Sequence, residues 1–167
     1  SDVTNMNYMF NSCFKLKDIK NIKNKNLNKL LSVEGIFQLC IELESLDLSD
    51  FDTSNITNMN MMFASCKKLK SIKGINKFNT KKVEIMNAMF QLCYKLEYLD
   101  LSNWDTSNVT NMNLMFSQCN KLTAINGIKS FNTKKVILMV GMFESCNELE
   151  YLDLSEWDTS NVISMKV

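Results

Sequence analysis

Six thiols are the side chains of this sequence most open to chemistry: Cys13, Cys40, Cys66, Cys93, Cys119 and Cys146. A thiol can pair as a disulfide, bind a soft metal or attack as a nucleophile. Zinc favours clustered ligands such as C-x-x-C, and here one Cys stands alone in every 26 or 27 residues, with no His anywhere. The missing His also removes the usual general base near neutral pH. Disulfides between neighbours require Cα atoms about 4.4–6.8 Å apart, and such pairing breaks the uniformity of six equivalent positions. The plain reading is a buried free thiol used as a small apolar side chain. Disulfides, and metal binding or catalysis, stand as the alternatives.

The spacing itself says more than the thiols. Successive cysteines lie 27, 26, 27, 26 and 27 residues apart, which is a repeat. Three residues before each Cys is a Phe, including Phe63, Phe90, Phe116 and Phe143, and three after each is a Leu. A second aromatic column runs Phe51, Phe78, Trp104, Phe131, Trp157. The true unit is a pair of coils spanning 53 residues. The longer coil reads LKSIKGINKFNTKKVEIMNAMFQLC (69–93) and the shorter LEYLDLSNWDTSNVTNMNLMFSQC (96–119). The longer one carries an extra residue near Gly74 and Gly127, which reads as a bulge or turn after a strand.

Within each coil, Leu99-Asp100-Leu101 alternates as a short strand with one buried face. Val109, Met112, Met115, Phe116 and Cys119 then fall on one side of a predicted short helix, with Asp105-Thr-Ser-Asn108 supplying the turn and the N-cap. The expectation is an α/β solenoid of leucine-rich-repeat type. It has about six coils, one strand and one helix in each, and forms a single unit over residues 1–167 that is a fragment of a longer array. The Met, Phe, Trp and Cys columns are read as core rather than as a ligand slot.

Charge follows the coils. Residues 41–66 carry five acids and no Lys, whereas residues 67–93 carry seven Lys and one Glu. Stacking puts Lys20, Asp47, Lys73, Asp100, Asn126 and Asp153 in one column, about 4.8 Å apart. Alternating sign lets each member attract its neighbours and penalises a slipped register; the alternative is that the column binds a ligand. Tyr98 and Tyr151 flank the same face, as contact residues or as products of duplication. Asn55-Ile-Thr57 and Asn108-Val-Thr110 match the glycosylation sequon.

The function classes narrow accordingly. A net charge of +1 gives no bulk drive toward nucleic acid or anionic membrane. All 19 basic residues are Lys, so no guanidinium fork can read phosphate or guanine. No apolar run reaches the roughly 18 residues of a membrane helix. At 46% hydrophobic and 22% charged the chain is packed, not disordered. Plausible catalytic groups recur as repeat positions, so no enzyme, cofactor or metal site is expected.

The segment L-D-L-S-N-W-D-T-S-N-V-T-N-M-N-L-M-F-S-Q-C-N-K-L (99–122) resembles the BspA-like leucine-rich-repeat surface proteins, above all in M-F-x-x-C-x-x-L and W/F-D-T-S-N-V. The likeness covers essentially the whole chain and is weakest over 20–36. The alternation of 26- and 27-residue coils and the Lys-rich longer coil depart from the family's more uniform repeat. The resemblance implies extracellular or cell-surface display, as secreted, wall-bound or lipoprotein forms, and adhesion to host or cell-surface components. It implies no catalytic residues. The leading function is a non-catalytic, surface-displayed module for protein partners. Its contact face is Lys20, Asp47, Lys73, Tyr98, Asp100, Asn126, Tyr151 and Asp153. The alternative is a structural spacer or stalk that self-associates end to end, for which light scattering would show size growing with concentration.

Overall fold

The computed structural model describes residues 2–20, 22–23 and 27–165. Its regular elements are short. Strands β1 (Ser45–Asp47), β2 (Ser71–Lys73), β3 (Tyr98–Asp100) and β4 (Ala124–Asn126) each bury their central residue and turn the flanking ones outward. That is the period-two geometry of a strand with one face on the core. β1 pairs with β2 and β3 with β4, both parallel and in register. No strand forms at the corresponding segment Tyr151–Asp153.

The pairing is two by two for a local reason. Immediately after β2 and β4 the extra residue, Gly74 or Gly127, adopts φ 84° or 85° and opens a 3-10 turn, Ile75–Lys77 or Ile128–Ser130. The chain leaves the strand direction there, so β2 does not continue a ladder to β3. The 53-residue unit of the sequence is thus a structural unit as well. A longer ladder runs elsewhere. Parallel bridges link Asn5, Ser32, Asn58, Ile85, Asn111, Leu138 and Ser164 in unbroken succession.

The Met-Phe-Cys segment is not a helix; among the described residues no α-helix occurs. Its amide N–H groups alternate between two destinations. Those of Met62, Ala64 and Cys66 donate three residues back, to Met59, Met61 and Phe63. Those of Met59, Met61, Phe63 and Ser65 donate to Ile85, Asn87, Met89 and Gln91 of the next winding, at 2.7–3.0 Å. An α-helix would spend every N–H inside itself; here half of them hold the stack together. The reversals that make this happen sit at positive φ, as at Met61 (52°) and Ser65 (63°). Left-handed backbone costs about 1–2 kcal/mol for a residue with a Cβ, and the ladder between windings offsets it.

The core lies between the strand side and this turn ladder. Phe10, Phe37, Phe63, Phe90, Phe116 and Phe143 stack with centroids 5.5–5.7 Å apart. Phe51, Phe78, Trp104, Phe131 and Trp157 form the second column at 6.3–6.5 Å. Phe90 touches Trp104 and Phe143 touches Trp157, joining the columns.

Candidate functional site

All six cysteines are free. Cys40, Cys66, Cys93 and Cys119 are fully buried, and Cys13 and Cys146 are half-buried. Their role is visible in the hydrogen bonds. The thiols of Cys40, Cys66, Cys93, Cys119 and Cys146 donate to the carbonyls of Phe10, Phe37, Phe63, Phe90 and Phe116, at 3.1–3.2 Å. Each of these carbonyls also accepts the N–H of the Cys three residues on. A thiol is thus a small apolar group with a weak donor aimed at the previous winding. Burial pushes the Cys40 and Cys146 thiols up to about 11 and raises those of Cys66, Cys93 and Cys119 further. The reactive thiolate is therefore suppressed at neutral pH. In the folded protein an alkylating reagent should spare Cys66, Cys93 and Cys119, and in urea it should modify all six. Fast labelling of Cys93 in the native state would contradict this arrangement.

Two features escape the sequence. Thr53, Thr80, Thr106 and Thr133 are buried. Their hydroxyls donate to the carbonyls of Asn79, Asp105, Asn132 and Asp158 in the next winding, at 2.9–3.1 Å. These threonines sit in a D/N-T turn motif, and nothing in it separates a buried cross-link from an exposed turn residue. The motif does form a turn: the Asp105 carboxylate accepts the N–H of Ser107 at 2.9 Å, with no helix to cap. Trp104 and Trp157 donate Nε1–H to Ile75 and Ile128, at 3.0 and 2.9 Å. Trp thus stands where the preceding winding supplies the Gly-Ile turn. The sequon asparagines are engaged too, as Asn55 and Asn108 donate to the carbonyls of Asn28 and Lys81.

The strand face carries the remaining candidates. In its first half the charges meet. Asp47 and Lys73 are register partners on β1 and β2 and form an ion pair of 2.7 Å. Lys70–Glu44 at 3.2 Å and Lys68–Glu42 at 2.8 Å lie beside it. Lys20 pairs with Asp18 at 3.5 Å and lines the same depression as Asp47 and Lys73. Lys73, with the Ser49 amide and hydroxyl, holds the Asp47 carboxyl well below its usual range, and Asp47 raises Lys73. The Asp47 contribution is therefore present above the ordinary carboxylate pKa and fades as pH falls toward its depressed value; solvent keeps it small.

The second half differs. Asp100 accepts from Asn126 at 2.9 Å and from Asn76 at 3.3 Å, with no lysine among its described partners. Asp153 pairs with Lys129 at 2.8 Å, not with Asn126. Lys129 and Asn76 occupy equivalent places in the two 3-10 turns, and each reaches the equivalent Asp of the following winding, Asp153 or Asp100. Tyr98 is 50% exposed and Tyr151 77% exposed. Among the described residues no group of three or more His, Cys, Asp or Glu is placed to hold a metal ion, and no helix is long and apolar enough to cross a membrane.

These parallel windings form a leucine-rich-repeat-like fold. The fold is similar to the crystal structure of a T. pallidum leucine rich repeat protein, at a TM-score of 0.52 and 18% identity, covering 88% of this chain and 72% of that one. More narrowly, the chain belongs to the family described as "Mycoplasma protein of unknown function, DUF285", whose pattern matches residues 1–93 and again 93–167. No curated protein matches the chain.

Proposed function

We propose that residues 1–167 form one BspA-like solenoid of about six coils, displayed at a cell surface, that binds protein partners without catalysing a reaction. The observation that carries this reading is the strand face. A rigid stacked core holds it, and it presents two exposed tyrosines, Tyr98 and Tyr151, among charged side chains. Exposed aromatic groups on a preorganised surface bind at low entropic cost. Buried, protonated thiols and the lack of any His support a non-catalytic role.

The test is selection of ligands from a random peptide display library against the folded chain. Asp100→Lys with Asp153→Lys, two charge reversals at half-buried positions of this face, should weaken the selected ligands at least about tenfold, on the scale of close charge pairs. Ligands that bind the double variant unchanged would show that the strand face is not the site.

A further inference from the structure

Resting on that reading, we infer that the surface slot between Tyr98 and Tyr151 receives a cationic side chain, arginine above lysine, from the partner protein. Tyr98 faces Ala124 in the β3–β4 register. Tyr151 lies one winding further and lines the same open cavity of about 410 Å³ together with Tyr98 and Ala124. The two tyrosines therefore stand two windings apart, on either side of Ala124. A small residue between them leaves that gap unfilled. A flat group entering it can stack on a tyrosine ring at about 3.5–4.0 Å.

The electrostatics select what enters. In the first half of the face Lys70 and Lys73 neutralise Glu44 and Asp47. At the equivalent positions beside the slot stand Thr123 and Asn126, which carry no charge. Among the described residues, Glu97, Asp100 and Glu150 consequently have no lysine partner. Lys129 and Asp153 both line the slot and pair with each other at 2.8 Å, so these two lining charges cancel. The break in the lysine pattern and the appearance of the tyrosines coincide on one stretch of strand face. Glu97, Asp100 and Glu150 lie outside the lining, on the surrounding strand face, and their field draws a cation toward the aromatic slot, where a planar guanidinium stacks best.

The probe is an eight-residue Gly/Ser peptide with one central arginine, titrated into the whole chain at low salt and followed by NMR. Saturable shifts should be confined to Tyr98, Ala124 and Tyr151. The same peptide with neutral, isosteric citrulline should give none, and a glutamate peptide should not bind. Tyr151→Ala should weaken binding about tenfold at unchanged melting temperature, whereas Tyr151→Phe, which keeps the ring face, should stay within about twofold. Equal binding of the citrulline or glutamate peptide, or an arginine affinity indifferent to Tyr151→Ala, would overturn the slot. Display-selected ligands that lose affinity on the Asp100/Asp153 reversal while the arginine peptide fails would leave the strand face as the site and remove this inference alone.

Discussion

Replacing Gly127 by alanine should destabilise the protein by about 2–5 kcal/mol and lower its melting temperature by on the order of 10 °C. Two costs combine. The backbone sits at φ +85°, where a residue with a Cβ loses about 1–2 kcal/mol. The added Cβ would also lie 2.4 Å from the Cα of Ser102 and 2.6 Å from its nitrogen. Those are backbone atoms of the previous winding, so no rotamer change relieves the overlap. The winding must move. In doing so it strains the Leu101 N–H to Asn126 carbonyl bond of 2.9 Å and the Trp157 bond to Ile128. Gly141→Ala is the control. Gly141 also has positive φ, +58°, but its nearest obstacle is the flexible end of Leu114 at 2.9 Å. Alanine already occupies the equivalent slot at Ala88, with φ 52°. Its loss should stay near 1 kcal/mol. Equal losses at the two sites in urea titrations would show that backbone contact between windings does not set the cost.

The same contrast explains what was legible in the sequence. The cysteine spacing could be read directly, because each residue column repeats with the chain that builds it, and the bridges from Asn5 to Ser164 follow that spacing. The strands could be read from Leu-x-Leu alternation. The helix expected at Val109–Cys119 could not be corrected from sequence. Apolar residues at i, i+3, i+6 and i+7 fit a helical face and equally fit chained turns with a reversal every fourth residue. Glycine signals such reversals at Gly35 and Gly141, but Leu39, Met61, Leu92, Leu114 and others adopt positive φ with a full side chain. The stack imposes that conformation, and local propensity carries no trace of it. The face was half legible. A column of alternating charge identifies Asp47 and Lys73, which do pair. It misses Lys129, because the partner of Asp153 comes from the 3-10 turn outside the strand column.

Phe90→Ala should cost about 3–5 kcal/mol and should also divide the unfolding transition. Phe90 is fully buried. It contacts Phe63 at 5.5 Å, Phe116 at 5.6 Å and Trp104 at 6.4 Å, so it joins both aromatic columns at the middle of the stack. Truncation leaves a cavity shared by two successive interfaces. In a stack where each winding touches its neighbours, cooperativity passes through those interfaces, and weakening two of them uncouples the halves. The probes for each half are built in. Trp104 and Trp157 report on the later windings by fluorescence, and pulsed alkylation of Cys40 and Cys66 reports on the earlier ones. In the variant their urea midpoints should separate, more widely than in the parent chain. Phe10→Ala provides the comparison, since Phe10 is half-buried and, among the described residues, its one ring contact is Phe37 at 5.7 Å. Its loss should be smaller and should leave the later windings untouched. Coincident midpoints in Phe90→Ala, or a loss no greater than that of Phe10→Ala, would mean that stability is not carried from winding to winding through the aromatic column.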